Sequence, residues 1–203
     1  MPMARSSLRL TGKRIAVLAF PILCLLATPA LAHEGAGLTG GFTSGFLHPI
    51  TGPDHVAAMV AVGLWGAFLG APAMWLLPVV FPLVMAFGGV LGIVGVPIPY
   101  VETGVATSAI ILGLMVALAV KPPLWIAAAL VGAFAIFHGH AHGTELPDAA
   151  DPFAFAAAFV IATGLLHLSG IAFGLLSKWP RGRIAVRAGG GAIALAGFFF
   201  LLL

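Results

Sequence analysis

Charged residues are scarce in this chain, and long hydrophobic runs are abundant. Only 7% of its 203 residues are Asp, Glu, Lys or Arg, and 61% are hydrophobic. A soluble domain carries about 25% charged residues, so a soluble protein of this composition would have almost no polar surface. Several apolar runs approach or exceed the roughly 20 residues that a helix needs to cross a bilayer. The composition predicts an all-α, polytopic membrane protein that is surrounded by lipid.

Cysteine is nearly absent, and the one cysteine, Cys24, lies in a segment typical of a secretory signal peptide. This segment has basic residues at positions 5, 9, 13 and 14, an apolar stretch over 15–28, and the cleavage signal Ala30-Leu31-Ala32. We expect cleavage after Ala32, which makes 1–32 the signal peptide and 33–203 one transmembrane domain. The alternative is an uncleaved first span. Without Cys24 the mature chain has no disulfide, thiolate ligand or cysteine nucleophile.

Positive charge is also lost with the signal peptide. The full chain has nine basic and six acidic residues, a formal net charge of +3. Four of the basic residues lie within 1–32, which leaves five basic against six acidic residues and a net charge of −1. The mature chain therefore gives no support for nucleic-acid binding. Neither the nucleotide-binding pattern G-x-x-x-x-G-K-[ST] nor the zinc-hydrolase pattern H-E-x-x-H occurs in the sequence.

Six apolar segments, separated by prolines or polar loops, predict six transmembrane helices. The first segment is too long for one straight crossing, and it contains HPITGPDH at residues 48–55. Pro49, Gly52 and Pro53 are expected to break this span into two half-helices. The second half-helix should have a capping-box-like start, with Pro53 in its first turn. We expect spans at about 38–70, 73–95, 101–120, 123–141, 153–177 and 184–203.

The basic residues of the mature chain predict its orientation. All five lie in or beside two loops, 121–123 and 177–183, and cytoplasmic loops are enriched in Lys and Arg. We therefore expect these loops on the cytoplasmic side of a bacterial inner membrane, and both mature termini on the periplasmic side. The five residues are Lys121, Lys178, Arg181, Arg183 and Arg187.

The first polar cluster within the apolar runs is His48, Asp54 and His55. A charged Asp, Lys or Arg at the centre of a membrane helix costs roughly 2.5–3.5 kcal/mol on insertion scales, so such groups are functional candidates. In a straight helix the two histidines would be about 10.5 Å apart along the axis at 1.5 Å per residue. Because metal–nitrogen bonds are about 2.0–2.1 Å, joint ligation requires the broken helix. The alternative is a proline kink in which Asp54 caps the helix and the histidines bond to carbonyls.

The second polar cluster is FHGHAHGTE at residues 137–145. On a helix His138, His142 and Glu145 share one face, because their offsets are 0, 4 and 7. Imidazole and carboxylate together suit divalent first-row metals, whereas His140 points elsewhere unless the segment is extended. The alternative is a histidine-rich surface loop with adventitious metal affinity.

Three further candidates are isolated in the sequence. His167 lies in the middle of a span, as a ligand or relay, or as a hydrogen-bonding bridge between helices. Glu102 opens the third span, either as a vestibule ligand or as an ordinary interfacial carboxylate. At the expected mature N-terminus, the α-amine and imidazole of His33 can chelate a divalent cation with help from Glu34, unless this is a frayed tail.

These motifs resemble a known family. HPITGPDH resembles the H-P-x-x-G-x-D-H signature of the HupE/UreJ nickel permeases, FHGHAHGTE resembles their second histidine motif, and PYVETG around Glu102 fits their third span. The resemblance implies a secondary transporter of Ni²⁺, possibly Co²⁺, with the metal as substrate and with no prosthetic group or enzymatic activity. It also implies a link to hydrogenase or urease maturation machinery. Its motifs correspond here to His48, Asp54 and His55, and to His138, His140 and His142.

The ligand chemistry leaves other functions open. Nitrogen and oxygen donors disfavour Cu(I), but they do not separate Ni²⁺ from Co²⁺ or Zn²⁺. Three histidines, an aspartate and a nearby serine would also suit an intramembrane zinc-dependent hydrolase, although H-E-x-x-H is absent. A metal sensor or assembly factor without flux is a third possibility.

Overall fold

A computed structural model describes residues 37–145 and 151–203, and within these ranges every regular element is helical. The all-α prediction is therefore confirmed for the described chain. The predicted signal peptide and His33 lie outside the described residues and stay predictions. The elements are α1 Gly37–Thr51, α2 Pro53–Leu69, α3 Ala73–Ile93, α4 Val101–Ala117, α5 Leu124–Thr144, α6 Pro152–Gly174, a 3₁₀ turn at Leu175–Lys178 and α7 Pro180–Leu201.

Prolines and turn residues set most of the helix boundaries, as expected. Pro53, Pro152 and Pro180 occupy the first turns of α2, α6 and α7, where a missing backbone N–H costs nothing. The Asp151 carboxylate caps α6 by accepting a hydrogen bond from the Ala154 N–H at 2.7 Å. At the other end of α2, Gly70 stops the helix with a φ of +88°, a backbone conformation that favours glycine.

The α4 helix is shorter than predicted. It ends at Ala117, because the chain turns there and Ala119 adopts a left-handed φ of 60°. Its 17 residues span about 26 Å at 1.5 Å per residue, slightly less than a hydrocarbon core of about 30 Å. In the described chain four helices are long and apolar enough to cross a membrane, namely α3, α5, α6 and α7. The bent α1–α2 pair makes a fifth if it counts as one span, and the sixth span stays a prediction.

The chain bends by 78° between α1 and α2. Gly52 stands between the helices in an extended conformation, and no side chain caps α2. The predicted capping-box-like start of α2 is therefore wrong, since the Thr51 hydroxyl donates to the His48 carbonyl at 3.2 Å instead. The bend brings the ring centroids of His48 and His55 to 6.5 Å, which a straight helix would not allow.

Helix α2 lies at the centre of the bundle and packs against α3, α4, α6 and α7. Glycines permit the closest crossings: a Cβ on Gly63 would collide with the His167 carbonyl, and one on Gly170 with the Val60 carbonyl. The α3–α5 crossing follows the same principle, because Gly139 of the second histidine motif rests against the α3 backbone at Met85. Close backbone approach of this kind is typical of membrane helix packing.

The predicted cytoplasmic loops meet at one end of the bundle. Ala119, Lys121, Ser177 and Arg183 line one cavity of about 230 Å³. From this end α5 runs for 21 residues, about 30 Å, and the second histidine motif occupies its far end. The basic residues and the histidine motifs therefore occupy opposite ends of the molecule.

Candidate metal centre

The α1–α2 bend and the end of α5 bring the two sequence motifs together. His48 lies in the last turn of α1, and His55 lies in the first turn of α2. His138 and His142 lie one turn apart at the end of α5, and Glu145 is the C-cap residue of that helix. Residues that are more than 80 positions apart in the chain thus form one cluster.

His55, His138 and His142 form the buried part of this cluster, which we call the inner group. One ring nitrogen from each lies within 4.8 Å of the other two. The ring centroid of His55 lies 5.1 Å from that of His138 and 4.4 Å from that of His142. Two metal–nitrogen bonds of about 2.1 Å span at most about 4.2 Å, so small side-chain adjustments would let all three rings hold one ion.

His48, His142 and Glu145 form a second set, which we call the outer group. Their donor atoms also lie within 4.8 Å of one another, and His48 Nε2 is 3.1 Å from Glu145 Oε2. The side chains of His48 and Glu145 are 31% and 51% exposed, whereas His138 is fully buried. The hydrogen bond between His48 and Glu145 lowers the pKa of Glu145, although partial burial of the carboxyl group acts in the opposite direction. The carboxylate is therefore ionised and carries negative charge at the accessible face of the cluster.

Asp54 lies behind His55 and outside both groups. Its Oδ1 accepts hydrogen bonds from the His55 backbone N–H at 2.9 Å and from ring Nδ1 at 2.8 Å. A carboxylate in this position fixes the ring orientation and its tautomer. The opposite nitrogen, Nε2, is buried and has no hydrogen-bond partner in the described chain. Asp54 therefore presents the lone pair of His55 to the inner group.

Ser108 of α4 does the same for His138. Its hydroxyl donates to the Val105 carbonyl at 2.6 Å, and its oxygen lies 2.9 Å from His138 Nε2. Since a hydroxyl has one proton, Nε2 must be the donor of the second bond. The lone pair of His138 is then on Nδ1, which is buried and unpartnered among the described residues. Helical spacing could not have revealed this pair, because the two residues come from different helices.

Aromatic side chains of α6 close the cluster on one side. The Phe159 ring lies 4.4 Å from the His142 ring, centroid to centroid, and Phe155 lies 6.0 Å from His48. Gly45 lets α1 approach closely, because a Cβ there would collide with the backbone of Phe155. These apolar walls limit access to the donors from this side. Nothing in the sequence pattern set these phenylalanines apart from ordinary core residues.

Besides Asp54, three of the predicted site residues lie outside both groups. His140 Nε2 donates to the Val96 carbonyl at 2.7 Å and thereby ties α5 to the α3–α4 loop. Glu102 is exposed in the first turn of α4 and has no contact with the cluster. His167 lies deeper, with the Phe81 ring 5.4 Å from both His138 and His167.

His167 is nevertheless the most unusual of these three. It is 1% exposed, and neither ring nitrogen has a hydrogen-bond partner within the described ranges. Thr163, one turn earlier on α6, is also buried with an unpartnered hydroxyl. The interpretation of His167 as a hydrogen-bonding bridge between helices is therefore not supported. A buried polar side chain without a partner is costly, so His167 stays a candidate functional residue.

Apolar helices long enough to cross a bilayer define a multi-pass, α-helical membrane protein, and its convergent histidines form a candidate metal centre. The chain belongs to the HupE/UreJ family, since the family model described as "HupE / UreJ protein" matches residues 21–200. It is 46% identical over 181 residues to Protein HupE of Rhizobium leguminosarum bv. viciae, which covers 89% of this chain and 95% of that protein. No solved structure matches the chain. The family resemblance predicted from the two motifs is confirmed.

Proposed function

We propose that this protein is a secondary transporter that moves Ni²⁺, possibly Co²⁺, across the inner membrane into the cytoplasm. The observation that carries the proposal is the convergence of His55, His138 and His142 from two distant motifs, with donor atoms within 4.8 Å. Membership of the HupE/UreJ family supports a role in nickel or cobalt uptake, or as an accessory to hydrogenase or urease. We accordingly propose the maturation machinery of such a metalloenzyme as the recipient of the metal.

The donor set suits this cargo. Three neutral imidazoles can replace part of the hydration shell of a borderline first-row dication, and Cu(I) would require sulfur. The affinity has to stay modest, because a site that binds too tightly does not release its ion. The family, rather than the geometry, favours nickel over cobalt and zinc.

The membrane potential is a sufficient driving force. One elementary charge gains about 2.3 kcal/mol per 100 mV, so a dication gains about 4.6 kcal/mol. Since about 1.4 kcal/mol is a factor of ten, this supports near three decades of accumulation. Proton coupling through His167 is compatible with the geometry but is not required by the energetics.

The proposal includes a topology. Residues 1–32 are removed as a signal peptide, and α1 and α2 together form one broken span. The α4 helix also crosses the membrane, which makes six spans in total. The end with the basic residues faces the cytoplasm, so the outer group, with Glu145, opens to the periplasm. A carboxylate and a half-exposed imidazole at that face would attract and desolvate an arriving dication.

Radiometal uptake tests the proposal. Purified protein is reconstituted into proteoliposomes with an inside-negative potential, and accumulation of ⁶³Ni²⁺ is followed with Co²⁺ and Zn²⁺ as competitors. We expect His55→Ala to abolish accumulation and Lys178→Ala, at the basic end, to retain it. Normal uptake by His55→Ala would contradict the proposal. Hydrolysis of a substrate without net metal uptake would indicate the zinc hydrolase, and metal binding without accumulation would indicate a sensor or assembly factor.

A further inference from the structure

We infer that the outer and inner groups are two successive stations for a single dication, and that His142 is the ligand common to both. The inference rests on the proposed function and adds an order to it. The ion is received by His48, His142 and Glu145, and it is passed to His55, His138 and His142.

The shared residue is the first argument. His142 has donor atoms within 4.8 Å of both groups, and its ring centroid lies 4.8 Å from His48 and 4.4 Å from His55. A neutral imidazole carries a proton on one nitrogen and a lone pair on the other. It can therefore bind one ion at a time, and only one of the two stations can be complete.

The state of the His142 ring is the second argument. In each of the other two inner-group histidines, one ring nitrogen is already hydrogen-bonded. His55 is bonded to Asp54, and His138 is bonded to Ser108. His142 differs, because both of its nitrogens are buried and without a hydrogen-bond partner in the described part of the chain. No group among residues 37–145 and 151–203 holds this ring in one tautomer, so it can serve either side.

The gradient of burial and charge gives the direction. The outer station is partly exposed and contains the carboxylate of Glu145, which suits capture of a hydrated cation. The inner station contains the fully buried His138, and its three donors are all imidazoles. During transfer the ion exchanges Glu145 and His48 for His55 and His138, and His142 remains beside it throughout. Ligand exchange in steps avoids a fully dehydrated, unliganded ion.

Equilibrium binding of Co²⁺ to the purified full-length protein tests the relay without any transport step. We expect one Co²⁺ per wild-type protein, held by three imidazoles in X-ray absorption. Glu145→Gln should still bind one ion with this inner signature. His138→Ala should also bind one ion, now with a carboxylate among its ligands. Asp151→Asn is the matched control, because it removes a carboxylate from the same end and asparagine caps a helix equally well.

Substitution of His142 is the decisive measurement. Both His142→Ala and His142→Gln should weaken Co²⁺ binding by at least about 100-fold, since neither station keeps three ligands, and size-exclusion profiles report whether each variant is folded. Two Co²⁺ ions per wild-type protein would overturn the relay, as would a His138→Ala variant that is folded but binds none. If binding follows these expectations while uptake fails, the transport proposal is wrong and the two stations stand. If uptake occurs while two ions bind, the relay alone is wrong.

Discussion

The two ends of the bundle treat polar groups in opposite ways. At the basic end, cations are exposed and already satisfied: Arg187 Nε donates to the Ala117 carbonyl at 2.8 Å, and Lys121 lies 5.2 Å above the Phe68 ring. At the histidine end, His55 Nε2, His138 Nδ1 and both His142 nitrogens are buried without partners in the described residues. Surface cations that already have partners indicate anchoring at a membrane interface. Buried ring nitrogens without hydrogen-bond partners indicate instead that a ligand binds there.

Polar residues within the histidine end are of two kinds. The inner-group histidines face the cluster, each with the lone pair of one ring nitrogen. Others, such as Asp54 and Ser108, use their hydrogen bonds to orient those rings. Supporting partners of this kind typically change metal affinity or activity by 10–100-fold when they are substituted, so the two kinds can be distinguished by the size of the effect.

The largest expected effect contrasts the two ends directly. His138→Ala removes a fully buried ligand from the inner group, and we expect initial Ni²⁺ uptake to fall by at least about 100-fold. Arg183→Ala removes an exposed cation beside the cavity of the basic end, and uptake should stay within about twofold. Proteoliposome uptake, normalised to the amount of inserted protein, measures both. Equal losses in the two variants would break the distinction between a binding end and an anchoring end.

The next effect concerns the carboxylate behind His55. Asp54→Asn keeps an oxygen that can accept a hydrogen bond but loses the negative charge, and we expect Co²⁺ affinity to fall by about 10–100-fold. Titration of the purified protein measures this change. Asp54→Ala should be weaker still, because the His55 ring then loses its orienting partner altogether. If both variants lost the three-imidazole signature of the bound Co²⁺ as completely as His55→Ala, Asp54 would be a direct ligand and not a positioning residue.

A smaller effect is expected for the hydroxyl behind His138. Ser108→Ala should lower Co²⁺ affinity by roughly tenfold, because Nδ1 and Nε2 of His138 can then exchange the proton. Ser169→Ala is the matched control, since that hydroxyl also donates to a carbonyl of its own helix, Leu166 at 2.7 Å, and has no hydrogen bond to a histidine of the described chain. ¹⁵N NMR of the histidine rings should show a mixture of tautomers at His138 only in Ser108→Ala. The same affinity loss in both variants would indicate a packing effect.

The sequence predicted the helices and the histidine motifs well, because both have strong local signals. Prolines and apolar length located the helices, and Pro49, Gly52 and Pro53 indicated the break that separates His48 from His55. The offsets of His138, His142 and Glu145 placed them on one face. In the structure that face is divided, since His138 belongs to the inner group, Glu145 to the outer group and His142 to both.

Features that depend on packing between helices could not be predicted. The α1 and α2 helices both pack on α6, and no local pattern gives the 78° angle between them. The contact between Ser108 and His138 joins α4 to α5, and the phenylalanine wall comes from α6. The glycines of the second histidine motif have a packing explanation that spacing alone did not give: a Cβ on Gly143 would collide with the Gly89 carbonyl of α3.

The smallest expected effect sharpens the comparison at the outer group. The hydrogen bond from His48 holds the pKa of Glu145 below its ordinary value of 4.5, so the carboxylate stays ionised as the pH falls to that value. The contribution of this pair to stability is present above pH 4.5 and is lost as the pH falls through the lower pKa of the folded protein. In His48→Ala the bond is absent and burial remains, so the Glu145 midpoint should rise.

A ¹³C NMR titration of the Glu145 carboxyl in the two proteins measures that shift. Glu145 is ionised throughout the range from pH 5 to 7, so protonation of this carboxylate causes no loss of metal loading there. Glu145→Gln should therefore leave the shape of the loading curve in this range unchanged and lower only the rate of capture. An identical Glu145 midpoint in wild type and His48→Ala would mean that the outer pair does not persist in the membrane. The accessible end of the cluster would then resemble the basic end, with exposed charges that interact mainly with water and lipid.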